Sequence, residues 1–245
     1  MARRASLALA ILLVFPLGRA GHALAAETRL ADSVLITAPV DDDLYAAAGE
    51  IRIEGPVAGA AALAAGSAEI AGDVGGDVIL AAGRIELGGG VGDDLRAAGG
   101  TVELTGFVTD QAVIAGGDVL IGPGSVIGGR AWVAGGDVEV AGQIGGDLEV
   151  AAGTVVISGR IAGNVEVAAR QVRVDPGAAI GGDLIVRSDN PPLIAEGAEI
   201  LGEVRAGAGR PDDDAARAGS SGGWAAGIAV AAAALLLLWL APGLA

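Results

Sequence analysis

The chain has 245 residues, of which 52% are hydrophobic, 43 are glycine and only 2% are aromatic. This composition favours a narrow core of many similar layers over a globular core filled by aromatic rings. The net charge of −15 argues against nucleic acid as a partner, and the lack of cysteine excludes disulfides, thiolate metal sites and a cysteine nucleophile.

Residues 1–26 have the layout of a secretory signal peptide. Two arginines near the start precede an apolar run from Leu7 to Leu17, and small residues follow as far as Ala26. Leaders of this kind are removed after an A-x-A site, so we expect cleavage after Ala25 or Ala26. An uncleaved anchor is the alternative.

The middle of the chain, residues 27–204, is the expected repeat domain. Its units are 17 to 20 residues long, and one of them reads GGDVILAAGRIELGGGV from Gly75. The nine units begin at Asp41, Ala58, Gly75, Gly92, Thr109, Ile127, Gly145, Ala162 and Gly181. Short alternations of apolar and polar residues bounded by glycine indicate strands, and a fixed period of this length indicates a solenoid.

Aligning the units produces apolar columns. The first contains Leu44, Ala61, Val78, Leu95, Ala112, Ala131, Leu148, Val165 and Leu184. The last contains Val57, Val74, Val91, Val108, Val126, Ile144, Ile161, Ile180 and Ile200. Because alternation along a strand places these columns on the inside, we predict an all-β, three-sided parallel β-helix of about nine coils, each paired with the next at ~4.8 Å. The segments before Ser33 and after Ile200 show no amphipathic cap and are expected to be loose.

The glycine-rich corners resemble a known family. The period of about 17 residues and the corners at Gly75–Val78 and Gly181–Leu184 are similar to those of bactofilins, the polymer-forming cytoskeletal proteins, over roughly residues 31–204. The resemblance implies a right-handed β-helix that polymerises end to end without nucleotide. The leader and the hydrophobic C-terminus differ from typical cytoplasmic members and look like those of the exported, membrane-attached branch.

The C-terminal part of the chain predicts a membrane anchor. Residues 205–223 are rich in Gly, Ala, Ser and Asp and are expected to form a flexible linker. Residues 224–241 carry no charge, approach the ~20 residues that span a bilayer, and have Trp224 and Trp239 near their two ends. We therefore expect one transmembrane helix that holds the repeat domain on the extracytoplasmic side of the cytoplasmic membrane. Further spans beyond Ala245, or removal of the segment as a sorting signal, are the alternatives.

The sequence does not favour an enzyme. The stretch from Ile121 to Gly128 would pass as a motif of hexapeptide-repeat acyltransferases, which use a histidine base, yet the only histidine is His22 in the leader. A polysaccharide lyase or hydrolase needs long loops around a cleft, for which the units leave almost no room. We expect no catalytic residue, no cofactor and no small-molecule substrate.

One polar position recurs from unit to unit. It is occupied by Asp43, Asp77, Asp94, Asn164, Asp147 and Asp183. Asp77 and Asp94, about 5 Å apart on adjacent coils, could share a hard cation. Capping of turns by the side chains is the favoured interpretation, because Gln111 and Arg130 interrupt the column. No metal site is therefore expected.

The outer surface offers one candidate interaction stripe, at Ile79, Val113 and Trp132. These residues belong to an outward column formed by Tyr45, Ala62, Ile79, Arg96, Val113, Trp132, Glu149, Glu166 and Ile185. The stripe is either a lateral contact for another copy or a partner, or a set of scattered apolar residues. Unpaired backbone N–H and C=O groups at the two ends of the β-helix can pair with the end of another copy. We therefore expect a non-catalytic structural protein that self-assembles end to end at the cell envelope, with a monomeric, adhesin-like binding or spacer module as the alternative.

Overall fold

The computed structural model describes residues 27–207, which form an all-β parallel solenoid of about ten turns. The strands are, in chain order, β1 (Glu27–Ile36), β2 (Leu44–Ile53), β3 (Ala61–Ile70), β4 (Val78–Leu87), β5 (Leu95–Leu104), β6 (Phe107–Val108), β7 (Ala112–Ile121), β8 (Val126–Ile127), β9 (Ala131–Val140), β10 (Gln143–Ile144), β11 (Leu148–Ile157), β12 (Arg160–Ile161), β13 (Val165–Val174), β14 (Ala179–Ile180), β15 (Leu184–Arg187), β16 (Leu193–Ile194), β17 (Glu199–Ile200) and β18 (Val204–Gly207). The stacked parallel strands confirm the predicted all-β parallel solenoid.

The strands form two sheets that run the length of the solenoid. The long strands make a 12-stranded sheet in the order β1-β2-β3-β4-β5-β7-β9-β11-β13-β15-β18, with β16 beside β13. The two-residue strands make a six-stranded sheet in the order β17-β14-β12-β10-β8-β6, which isolated bridges continue from Val108 to Val40. Residues one unit apart are therefore direct neighbours, as Leu44 and Ala61 are.

The alternation of buried and exposed residues changes phase at the centre of each ten-residue strand. In β4, Val78 and Leu80 are buried in the first half, and Ile85 and Leu87 are buried in the second half. Gly83 lies between the two halves and is skipped in the pairing register. A Cβ on Gly83 would lie 2.7 Å from the carbonyl oxygen of Gly66, so a side chain here would force the two turns to shift. Each turn thus contains three stretches of paired backbone: the two halves of the long strand and the short strand.

The core is a single cluster of aliphatic side chains along the axis. The first predicted column, from Leu44 to Leu184, is no more than 1% exposed at any of its nine positions. Fully burying one Val, Leu or Ile side chain contributes about 1.5–3 kcal/mol, and here the contribution recurs in every turn. The prediction of stacked inward columns is confirmed for this set, because Val78 pairs directly with Leu95.

The last predicted column was wrong at one position. Val126 is 38% exposed, and its neighbour Ile127 is the buried residue that pairs with Val108. The connection from Ile121 to Ile127 is two residues longer than the corresponding one from Leu104 to Val108, and it forms a turn at Gly124. The longer turn shifts the alternation, so that the following strand enters the core one residue later.

The two ends of the repeat domain are more ordered than expected. Strand β1 adds a turn before the nine predicted units, and β18 pairs with β15. The interpretation of these end segments as loose was therefore wrong. In the last turn, Leu193, Leu201 and Val204 are 68%, 81% and 46% exposed, so apolar surface is open to solvent at this end. In the first turn, by contrast, Val34 and Ile36 are buried.

Some of the sequence predictions lie outside the described residues. These are the signal peptide at residues 1–26, residues 208–223 of the linker, and the membrane segment at residues 224–241. Within residues 27–207, no helix has the length and hydropathy needed to cross a membrane.

Candidate interaction surfaces

The three candidate residues Ile79, Val113 and Trp132 lie in one outward column of the long sheet, which we call the Trp132 column. Its members are Tyr45, Ala62, Ile79, Arg96, Val113, Trp132, Glu149, Glu166 and Ile185, and each pairs in register with the next. Ile79 is 53% exposed, whereas Val113 and Trp132 are half-buried. The column is therefore a continuous line in which only Ile79 is a widely exposed apolar side chain among the three candidates.

The indole ring of Trp132 is covered by the charged side chain of Arg130. The guanidinium carbon of Arg130 lies 5.4 Å from the centroid of the indole ring, within the range of a cation–π interaction. Arg130 is held there by Asp147, whose Oδ2 is 3.0 Å from Nη2. The indole Nε1 is buried and no acceptor lies in hydrogen-bonding geometry with it, although the neighbouring Glu149 carboxylate interacts with the ring N–H. Trp132 thus forms part of a polar cluster.

Glu149, next to Trp132 in the column, has a perturbed acidity. Its partial burial raises its pKa, and the nearby carboxylates of Glu166 and Asp147 raise it further. Arg130 and the indole N–H of Trp132 act in the opposite direction but do not cancel the increase. Glu166 itself pairs with Arg187.

A second outward column, two residues further along each strand, consists of alanine. We call it the alanine column, and its members are Ala47, Ala64, Ala81, Ala98, Ala115, Ala134, Ala151 and Ala168. Ala98 and Ala115 are buried although they point outward, and with Ala134 they form a small cluster separate from the core. Alanine at this position in eight successive units was visible in the sequence, but our sequence analysis did not use it. The column is a flat strip beside the larger side chains of the Trp132 column.

The short sheet carries one exposed aromatic side chain that the sequence analysis did not single out. Phe107 is 49% exposed, and its ring lies over the backbone of Gly90 in the preceding turn, where any Cβ would overlap it. Val126 follows it in register. This pair forms a small apolar patch on the side of the solenoid.

The recurring aspartates cap the backbone of the next turn. Oδ1 of Asp43 accepts the N–H of Ala60 at 2.8 Å, and Oδ1 of Asp77 accepts the N–H of Asp94 at 3.1 Å. The same contact is made by Asp94, Asp147, Asn164 and Asp183, at 2.9–3.2 Å. These corner amides lie outside the sheet ladders, so the side chains satisfy donors that the fold leaves without a strand partner. The geometry agrees with the capping of turns by these side chains. Each hydrogen bond joins one turn of the solenoid to the next and does not stay within a single turn.

Three carboxylates lie close together at one corner. The carboxylate oxygens of Asp93, Asp94 and Asp110 are within 4.8 Å of one another, whereas Asp77 is not in this group. Asp94 already binds the guanidinium of Arg96 at 2.8 Å and the N–H of Gln111 at 3.2 Å. Three such ligands are fewer than the six to eight oxygens that calcium takes, so the group does not define a cation site.

The stretch that resembles an acyltransferase motif forms a structural turn. Gly124 has a φ of 90°, a conformation that glycine adopts readily. Ser125 is fully buried, and its hydroxyl donates to the carbonyl oxygen of Gly122 at 2.7 Å, which closes the turn. The serine hydroxyl is therefore engaged in holding the corner.

Comparison of the chain with protein-family models, with curated proteins and with solved structures found no match.

Proposed function

We propose that the chain is a non-catalytic structural protein whose solenoid assembles end to end into a polymer or scaffold at the cell envelope. The observation that carries the proposal is the open C-terminal turn. Ile194 and Val204 are 40% and 46% exposed, while Val174 and Leu184, their neighbours in the preceding turn, are both 0% exposed. One more layer on this end would complete the apolar columns.

The backbone of the last turn also makes the C-terminal end a suitable surface for joining another copy. Strands β1 and β18 terminate the 12-stranded sheet, so among residues 27–207 each has one edge without a strand partner. An edge of this kind pairs readily with a further strand. A second copy supplies a turn of matching dimensions, and burying one more Val or Ile side chain contributes up to about 1.5–3 kcal/mol.

We also propose that each turn of the solenoid is a right-handed, three-sided coil. Three paired stretches per turn support a three-sided coil. A right-handed path is the general rule for connections between parallel strands of one sheet, and it agrees with the resemblance to bactofilins. The 17-residue spacing between paired residues, such as Leu44 and Ala61, supports placing the chain in that polymer-forming family.

We further propose that the protein is exported and tethered to the membrane. The leader at residues 1–26, the Gly/Ala/Ser/Asp-rich linker and the uncharged segment at residues 224–241 support this location. The partners are then other copies of the chain and the membrane itself. The acidic charge and the absence of histidine and cysteine from residues 27–207 support a role without nucleic acid, substrate or catalysis.

One observation favours a second function, that of a monomeric extracytoplasmic binding or spacer module. Pro191 and Pro192 lie in the last turn, immediately before Leu193. Proline has no N–H to donate, and prolines at a sheet edge hinder the addition of another strand. If these prolines prevent a second copy from adding a strand, the apolar surface of the last turn binds a different ligand or remains exposed to solvent.

The experiment compares two valine variants of the full-length chain by sedimentation velocity over a range of concentration and salt. Val204→Arg places charge on the open end, and Val126→Arg places it on the side of the solenoid at similar exposure (46% and 38%). We expect the wild type and Val126→Arg to form large species and Val204→Arg to stay small. A wild type that is monodisperse under all conditions contradicts assembly and favours the spacer module.

A further inference from the structure

The Trp132 column has a near-palindromic order about its central residue. From Ile79 onwards the column reads Ile79, Arg96, Val113, Trp132, Glu149, Glu166 and Ile185. Ile79 and Ile185 each lie three turns from Trp132, and Arg96 and Glu166 each lie two turns from it. Reversing the column therefore places isoleucine on isoleucine and the arginine on a glutamate.

We propose that two copies of the chain pair laterally through this face, with their solenoid axes antiparallel and Trp132 at the centre of the contact. The pairing uses the side of the solenoid and leaves both ends free. It holds whether or not the solenoids also join end to end.

Regular stacking makes the superposition possible. Successive members of the column are neighbours in adjacent strands, so their spacing is uniform at ~4.8 Å. A two-fold axis along the strand direction at Trp132 places each residue opposite the one equally far on the other side. Ile79 then faces Ile185, and Arg96 faces Glu166, in two symmetric sets per pair of molecules.

The charged residues of the Trp132 column favour the antiparallel orientation over the parallel one. In a parallel pair, Arg96 would approach Arg96 and both glutamates would approach their own copies, and like charges in contact are unfavourable. In the antiparallel pair, Arg96 meets Glu166. Both side chains are accessible enough to reach across, being 40% and 37% exposed, although each also has a partner in its own chain, Asp94 and Arg187 respectively. Between Ile79 and Ile185, Val113 opposite Glu149 is the one mismatched pair.

The alanine column leaves the neighbouring Trp132 column as the highest ridge of this face, so the Trp132 column makes the first contact. A strip nine turns long and four residues wide covers about 40 by 13 Å, or roughly 500 Å² per copy. The total of about 1,000 Å² is at the lower limit for a specific interface. The charges must therefore contribute to the choice of partner and register.

Cross-linking the full-length chain in detergent micelles tests the orientation, since the native sequence has no cysteine to interfere. Ile79→Cys and Ile185→Cys proteins are treated with a bis-maleimide that spans about 10 Å, the distance between packed sheets. We expect cross-linked dimers when the two variants are mixed, at least fivefold more than with either alone. Dimers of Ile79→Cys alone would show parallel pairing, and no cross-link in any mixture would exclude the contact; both results overturn the proposal.

A charge exchange tests the register with the same two cysteine proteins. Arg96→Glu or Glu166→Arg, introduced into both, is expected to reduce the cross-linked fraction at least fivefold, because each puts like charges opposite each other. The double exchange restores an Arg–Glu pair and is expected to restore cross-linking. The matched control is Arg173→Glu, which lies in the other half of the strand and leaves the yield unchanged. Failure of the double exchange to recover what the single exchanges lose would contradict the assignment.

Discussion

Oδ1 of Asp77 accepts a hydrogen bond from the backbone N–H of Asp94, 3.1 Å away and one turn further along the solenoid. The bond ties two turns together at a corner where neither sheet provides an acceptor. It recurs at six positions, so it is a repeated element of the fold comparable to the buried columns.

Removing the acceptor at Asp77 tests this contribution. Asp77→Ala is expected to lower the free energy of unfolding by about 1 kcal/mol, because a backbone donor loses its partner. Asp77→Asn keeps an oxygen in place and is expected to cost much less, as Asn164 already makes the same bond at 2.9 Å. Urea unfolding of both variants measures the difference. An asparagine variant as unstable as the alanine one would mean that the negative charge, and not the hydrogen bond, matters.

The column of capping side chains, which runs from Asp43 to Asp183, lacks an acceptor at Ala60. Ala60 occupies the position between Asp43 and Asp77 and has no side-chain oxygen to accept the N–H of Asp77. Gly76 lies beside it, as Gly59 lies beside the Asp43 carboxylate, so there is space for a longer side chain.

Ala60→Asn is therefore expected to raise the free energy of unfolding by about 0.5–1 kcal/mol, which thermal and urea unfolding can detect. Val126→Asn, a change on the exposed side of the solenoid, serves as a control and should not stabilise. A destabilised Ala60→Asn protein would show that the corner has no room for the cap.

Two adjacent glycines are expected to respond very differently to alanine. A Cβ at Gly89 would overlap the carbonyl oxygen of Gly72 in the preceding turn, whereas a Cβ at Gly88 would meet its nearest atom at 3.6 Å. Gly89→Ala is expected to cost more than about 2 kcal/mol, since backbone must move apart, and Gly88→Ala less than about 1 kcal/mol. The midpoint of urea unfolding gives both values, and equal effects would contradict the tight stacking of turns.

The raised pKa of Glu149 predicts that the free energy of unfolding depends on pH. Burial and the neighbouring carboxylates raise its pKa in the folded state, so its contribution to stability is present at low pH and is lost as the pH rises through the folded-state pKa. Glu149→Gln is therefore expected to be more stable than the wild type at pH 7, by less than about 1 kcal/mol because the group is partly screened by solvent.

The gain should disappear at acidic pH, where the wild-type carboxyl is already neutral. Unfolding measured across the pH range tests this, with Glu103→Gln as a control in a different outward column. A gain that is constant with pH would assign the effect to packing and not to ionisation.

The stacked core could be read from the sequence because each inward column repeats at a nearly fixed interval, as Val78 and Leu95 do. The first turn was not recognised as a unit because it lacks the glycine at the centre of the long strand. Asp32 takes the place that Gly49 takes in the next turn, where a Cβ would lie 2.9 Å from the carbonyl oxygen of Asp32. No described turn precedes Asp32 on that side, so the steric reason for glycine is absent there.

The surfaces were less predictable than the core. The outward direction of Trp132 follows from alternation, but the placement of Arg130 over its ring depends on side-chain conformations across turns. The exposure of Val126 depended on the length of one turn, which moved Ile127 into the core. The alanine column, in contrast, needed only the alignment of the units.

Electron cryomicroscopy of the full-length chain in detergent micelles tests the proposed assembly most directly. The account predicts filaments in which the strand spacing of ~4.8 Å continues from one molecule to the next without interruption. Isolated particles about 50 Å long, the length of ten stacked turns, at every concentration and salt would contradict it.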